Sequence, residues 1–217
     1  MQLPDIAQPG PLCIGLMADS HGDATGIDAA ARCFLDRGCS LGIHLGDIGD
    51  TTRPATLEAC LDRLAAHGIL PIRGNNDHTL LLNQSQLVSA RAMAIIRQMP
   101  LTRQIGAALL AHSLPFAAAM GPRCMLEDMR SRHIRRFFQT YPGRPLFRGH
   151  SHRPEIVRPR GAAFTRERMQ PGRTYPLQTG QSAVVTCGAL FDGLCLVWHR
   201  DRESIELIAL DDSDPLS

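Results

Sequence analysis

The sequence predicts an α/β protein: one domain built on two sheets, a parallel βαβαβ unit followed by a strand-rich half. Three observations carry this. Short apolar runs alternate with helical spacing from residue 12 to residue 111. Beyond residue 145, five short runs are divided by glycine and proline with no helical pattern between them. The length of 217 residues, with 44% hydrophobic and 20% charged residues, suits a globular domain and excludes disorder and fibrous repeats. The domain is expected to take in residues 1–217, with its core over about 11–210.

Leu12–Ala18 reads as a buried strand. Ala24–Arg37 reads as a helix with Ile27, Ala31, Phe34 and Leu35 on one face and Asp23 ahead of it as a cap. Leu41–Leu45 is the second strand, in which His44 reads as a satisfied core residue. Pro54–His67 is the second helix, with proline in its first turn and Gly68 past its end. Ile69–Arg73 is the third strand, Val88–Met99 has helical spacing and Ala107–Ala111 reads as a strand. An Arg-rich helix over Leu126–Phe138 presents Leu126, Met129, Ile134 and Phe137 as its buried stripe. The later strands are Pro145–Arg148, Glu155–Arg158, Ala183–Thr186, Leu194–His199 and Ser204–Leu210. Residues 159–182, with three prolines, three glycines and few aliphatics, read as a loop excursion.

Composition excludes several chemistries. All 23 basic residues are arginine, so a Walker phosphate loop, a Schiff base and pyridoxal anchoring are ruled out. No run approaches the length of a membrane span, and residues 1–10 do not read as a secretory signal. Seven cysteines are scattered, odd in number and free of any Cys-x-x-Cys pair, so reduced and mostly buried thiols in a cytoplasmic protein are expected. Residues 123–173 hold 13 arginines against four acids. That segment reads as a solvated basic face or as the neighbourhood of an anionic substrate. Seven Phe, two Tyr and one Trp offer no stacking set, so neither nucleic acid nor membrane is expected as a partner.

Five polar clusters follow predicted strands. They are Asp19-Ser20-His21, Gly46-Asp47-Ile48-Gly49-Asp50, Gly74-Asn75-Asn76-Asp77, Ala111-His112-Ser113 and Gly149-His150-Ser151-His152. Ligands of parallel α/β sheets bind at the carboxyl ends of strands, so five such ends can converge on one site. Carboxylate, imidazole and amide oxygen suit Mn, Fe, Zn, Co or Ni. Asp-x-His and His-x-His place both side chains on one side of an extended segment. Taken singly, Gly-Asp and Gly-Asn-Asn-Asp are also good turn formers.

In order and placement, Asp19-x-His21, Gly46-Asp47, Gly74-Asn75-x-Asp77, His112 and Gly149-His150-x-His152 resemble the calcineurin-like metallophosphoesterases. The resemblance implies a four-layer α/β/β/α sandwich with two mixed sheets and a centre of two divalent metal ions, Mn first among the candidates. It implies that Asp19, His21 and His152 hold one ion, that Asn75, His112 and His150 hold the other, and that Asp47 bridges them. It implies hydrolysis of a small phosphodiester or phosphomonoester, with a nucleotide pyrophosphohydrolase, a protein phosphatase and a metal-binding scaffold as alternatives. Asn76 and Asp77 are the catalytic candidates carried over.

Two departures are visible. Many relatives carry a histidine proton donor where this chain has Asn76, and an amide is no general acid near neutral pH, though it can hydrogen-bond a phosphoryl oxygen. The small bacterial and archaeal phosphodiesterase-like members also lack this histidine, and His78 is a candidate substitute. The phosphatases' Asp-Arg-Gly is replaced by Asp50-Thr51-Thr52, with Arg53 displaced.

Overall fold

Two six-stranded sheets lie face to face in the computed structural model, which describes residues 12–210. The chain runs through β1 (Cys13–Met17), α1 (Ala24–Asp36), β2 (Leu41–His44), α2 (Leu57–Ala66), β3 (Leu70–Pro71), α3 (Asn75–Asn83) and α4 (Ala90–Gln98). It continues through β4 (Thr102–Ile105), β5 (Ala108–Ala111), α5 (Ala117–Met120), α6 (Arg123–Leu126), α7 (Ser131–Thr140), β6 (Pro145–Arg148), β7 (Glu155–Arg160) and β8 (Ala163–Arg168). It closes with β9 (Arg173–Pro176), β10 (Ala183–Thr186), β11 (Leu194–His199) and β12 (Ser204–Ala209). Single 3-10 turns lie at Pro54–Thr56, Ser85–Leu87 and Leu190–Asp192.

The first sheet has the order β3-β2-β1-β11-β12-β9 and the second β4-β5-β6-β10-β7-β8. β1, β2 and β3 are parallel, while β11 joins β1 antiparallel. β5, β6 and β10 are parallel, and β7 joins β10 antiparallel. Both sheets are therefore mixed, and each sends the carboxyl ends of three parallel strands to one edge.

Strand alternation sorts the core into three slabs. Ile14, Leu16 and Ala18 point between the sheets and meet Phe147, Val185 and Trp198. Met17 points the other way, toward Ile27 and Phe34 of α1, Leu57 and Leu61 of α2 and Ile96 of α4. Leu146 and Val184 of the second sheet pack on Ile134 and Phe137 of α7. The result is the four-layer α/β/β/α sandwich. Gly15 lets α1 sit directly on β1, since a Cβ there would lie 2.3 Å from the Phe34 ring. Asp23 caps α1 by accepting the Gly26 N–H at 2.8 Å, as its place ahead of the helix predicts.

The structure corrects four element readings. Residues 159–182 are no simple loop, because they carry the end of β7 and all of the edge strands β8 and β9. β8 is exposed along nearly its whole length, so it lacks the apolar alternation that marks a strand, and charged pairs such as Arg166–Glu155 and Arg158–Glu167 tie it to β7. β4, an edge strand that reads Thr-Arg-Gln-Ile with Ile105 alone buried, also lacks that alternation. The Arg-rich helix is two helices, broken at residues 127–130, and Leu126 is exposed rather than part of a buried stripe. Gly74-Asn75-Asn76-Asp77 is the start of α3 rather than a turn. Among the described residues no helix is long and apolar enough to cross a membrane.

Phe147 is fully buried between the sheets, its ring centroid 4.7 Å from that of Trp198. Phe147→Ala is expected to lower the unfolding free energy by about 3–5 kcal/mol, read from denaturant titration.

Candidate metal centre

The polar clusters lie where the parallel strands end, and backbone hydrogen bonds lace them together. Asp19 N–H donates to Gly46 O at 2.9 Å, His21 N–H to Asp47 O at 3.1 Å and Gly149 N–H to His112 O at 3.0 Å. Asp19, His21, Asp47, His150 and His152 all have φ between 46° and 71°, the left-handed region that side chains beyond glycine seldom adopt. Among the described residues only Glu203 joins them outside glycine. Such strain persists where the surroundings over-determine it, and it concentrates at functional sites.

The ring and amide atoms then converge in two groups. His21 Nε2 lies 3.1 Å from His152 Nε2, and Asp19 Oδ1 lies 3.7 Å from the latter. On the other side, His112 Nε2 and His150 Nδ1 are 3.1 Å apart, and Asn75 Oδ1 is 2.8 Å and 2.9 Å from them. Asp47 Oδ1 lies 3.5 Å from His112 Nε2, and Asp19, Asp47 and His112 each offer a ligand atom within 4.8 Å of the others. The seven residues singled out from the sequence thus lie together: Asp19, His21 and His152 in one group, Asn75, His112 and His150 in another, and Asp47 beside His112 and Asp19.

The protonation pattern says what fits between them. His112 Nδ1 faces the Leu45 carbonyl at 2.9 Å, and His150 Nε2 faces Asp128 Oδ1 at 3.2 Å. Each ring spends its N–H on that acceptor, which leaves His112 Nε2 and His150 Nδ1 as bare lone pairs aimed at one another and at Asn75 Oδ1. Three acceptors facing inward with no donor among them fit a cation. Burial favours the neutral rings: it lowers His112 to about 4 and pulls His21 and His150 down as well. Burial, with Asp47 beside it, pushes Asp19 well above the usual carboxylate range.

A supporting shell holds these groups. Asp77 is fully buried, and its carboxylate accepts four backbone N–H groups: Gly74 at 2.9 Å, Asp47 at 3.1 Å, Ile48 at 3.0 Å and Gly49 at 2.9 Å. That engagement corrects the catalytic expectation for Asp77 and makes it a positioning residue. Asn76 donates its backbone N–H and its Nδ2 to the two Asp47 oxygens at 2.8 Å and 2.7 Å, so its amide orients that carboxylate. Gly74 permits this close approach, because a Cβ there would lie 2.1 Å from Asp47 N. His78 Nδ1 is buried without a hydrogen-bond partner, and burial and Arg73 lower the ring's pKa. Arg53 is at the rim, its Nη2 donating to the His21 carbonyl at 3.0 Å and its Nε to Asp50 at 2.9 Å.

Two supports escaped sequence reasoning. Arg148 is buried at the end of β6, donating to Ser113 O and Oγ and to Thr186 Oγ1. Its place next to Gly149 at the end of an apolar strand was the available signal. Asp128 lies in the break between α6 and α7, which the continuous-helix reading concealed.

His44, as expected, is satisfied in the core: Nδ1 accepts the Gly46 N–H at 3.2 Å and Nε2 meets Ser20 Oγ at 2.9 Å. Burial lowers it from 6.5 to about 3. The folded protein therefore keeps His44 neutral where the unfolded chain protonates it, so its contribution is present above pH 6.5 and lost as pH falls. Between pH 6.5 and pH 5 the wild type is expected to lose about 2 kcal/mol more stability than His44→Gln, measured by denaturant unfolding at each pH.

A family model described as calcineurin-like phosphoesterase superfamily domain matches residues 12–190. Compared with curated protein sequences, the chain matches none. Among solved structures it resembles a metallophosphoesterase from Sphaerobacter thermophilus, with a TM-score of 0.73 at 15% identity, covering 93% of this chain and 89% of that one. It also resembles a hypothetical protein from Pyrococcus horikoshii, with a TM-score of 0.57 at 12% identity, covering 92% of this chain and 89% of that one. A structure titled as a novel archaeal phosphodiesterase gives 0.50 at 14% identity over 91% and 99% of the two chains. At these identities the likeness is one of fold, and the family model, matching most of the chain, decides membership: this protein is an enzyme of the calcineurin-like phosphoesterase superfamily.

Proposed function

We propose that the protein hydrolyses a small phosphate ester, with a diester of a good leaving group as its preferred substrate, at a centre of two divalent cations. The observation that carries this reading is the pair of inward-facing acceptor groups around Asp47. Asp19, His21 and His152 would hold one ion and Asn75, His112 and His150 the other, with Asp47 beside both sets. When bound, such ions supply a water of lowered pKa and positive charge against the phosphoryl oxygens. Manganese is the first candidate, with iron, zinc, nickel and cobalt also compatible with this donor set.

The protein's own part is to bind and to orient. Asn76 fixes both Asp47 oxygens, and Asp77 fixes the backbone on either side of it. Arg53 at the rim, half-exposed beside His21, is placed to meet an anionic ester oxygen. Asn76 supplies no acidic proton, so a leaving group that needs little protonation is favoured, as in aryl esters and some diesters.

Stripped of metal, the protein is expected to be inactive on bis-p-nitrophenyl phosphate and to recover on manganese addition, with turnover of the diester exceeding that of p-nitrophenyl phosphate. Asp47→Asn is expected to lower kcat at least about 100-fold at saturating manganese. Equal loss of both substrates in Asp47→Asn with a reversed wild-type preference would make the enzyme a monoesterase. Asp128→Ala, which removes the acceptor from His150 Nε2, is expected to weaken manganese affinity about 10–100-fold, read by competition with a metal-binding dye.

A further inference from the structure

Two thiols meet at the end of the first sheet remote from Asp19, with Cys33 near them and Cys195 further along the sheet beside Cys33. Cys13 opens β1, Cys33 lies late in α1, Cys39 follows the turn after α1, and Cys195 is in β11 beside β1. Cys13 Sγ lies 3.0 Å from Cys39 Sγ, and Cys33 neighbours Cys195. Cys195 is fully buried, whereas Cys13, Cys33 and Cys39 are half-buried and open to a reagent in solvent. None of the four takes part in the hydrolytic centre.

The approach of Cys13 to Cys39 is built by the backbone. β1 and β2 are parallel partners with Ile14 opposite Leu41, so Cys13 stands beside Ser40, whose N–H donates to its carbonyl at 3.2 Å. Gly38, at φ 70°, turns the chain back, and the Cys39 N–H is held by Phe34 O at 2.9 Å. Two side chains one register step apart on paired strand ends already converge, and an S–S bond requires their sulfurs to close by roughly 1 Å more.

We propose that Cys13 and Cys39 form a reversible disulfide, with a low-molecular-weight disulfide such as oxidised glutathione as the oxidant. The Cys13 thiolate attacks one glutathione sulfur, the glutathione S–S bond breaks, and one glutathione thiolate leaves. Cys39, giving its proton to water, then attacks the Cys13 sulfur of the mixed disulfide and releases the second glutathione thiolate. Two protein thiols are oxidised, one molecule of oxidised glutathione is reduced to two thiols, and the two protons end on the leaving groups. Burial and the adjacent Cys13 hold the Cys39 thiol up, which makes Cys13 the first attacker; capping Cys13 removes the second of those causes. Cys33, lowered to about 7 by neighbouring Cys195 and by Arg37, is the competing nucleophile.

Trypsin separates these thiols, since the chain has no lysine and Arg53 precedes proline: residues 1–32 hold Cys13, 33–37 hold Cys33, and 38–63 hold Cys39 with the buried Cys60. The folded, reduced full chain is treated with oxidised glutathione, alkylated, digested and mapped by mass spectrometry without reductant. The expected product is peptide 1–32 joined to 38–63, about 2 Da below the sum of the two and lost on reduction. Cys39→Ser is expected to stop with glutathione on peptide 1–32 and no joined product. Glutathione or a cross-link carried on peptide 33–37 in place of that product would overturn the proposal. So would alkylation of both Cys13 and Cys39 as free thiols, or a joined product that survives in Cys39→Ser.

Discussion

Four backbone N–H groups converge on the carboxylate of Asp77, and through them the loop after β2 is joined to the first turn of α3. The group is fully buried, so no water competes for those bonds. Its effect is geometric. With the backbone around residues 47–49 and 74 tied to one carboxylate, Asp47 and Asn75 are carried into register across the gap between strand ends. Asn76, one residue further, then reaches back to both Asp47 oxygens. A side chain outside the two inward-facing groups thus sets the positions of several within them.

The same loops store strain. Asp19, His21, Asp47, His150 and His152 each adopt positive φ, at a cost of order 1–3 kcal/mol apiece. What offsets it is the lacing between loops, Asp19 to Gly46, His21 to Asp47 and Gly149 to His112, supported by the close backbone approach that Gly46 and Gly74 allow. Left-handed turns at the ends of parallel strands aim the side chains back over the sheet edge. Extended backbone would send alternate residues to opposite faces.

Electrostatically the centre is incomplete as a purely protein structure. Burial raises Asp19 and Asp77 and lowers His21, His112 and His150, so the pocket disfavours the charged form of each of these groups. Arg148, pulled down to about 10 by burial, supplies one permanent cation beneath Asp19, and it is spent on Ser113 and Thr186. Lone pairs on His112, His150 and Asn75 still face one another. A bound cation would turn each of these mutual repulsions into a ligand bond and so couple metal binding to the stability of the loops.

Much of this was legible along the chain. The apolar runs of β1, β2 and β6 and the helical faces of α1 and α2 are periodic because each buries one or two faces against a slab of core, and burial writes itself into residue type. The seven candidate donor residues were legible because strand ends concentrate polar residues that have no core to enter. β4, β8 and β9 were not, since edge strands draw stability from backbone pairing and charged partners, which leave no hydrophobic period. Nor could residue order show that Asp77 faces backbone rather than substrate, that Asp128 reaches His150, or that Cys13 meets Cys39. Those relations join residues 22 to 30 positions apart in the chain, and they exist only once parallel pairing and loop turns set directions in space. Composition and periodicity determined the layers and the chemistry available; tertiary packing alone decided which atom each polar group faces.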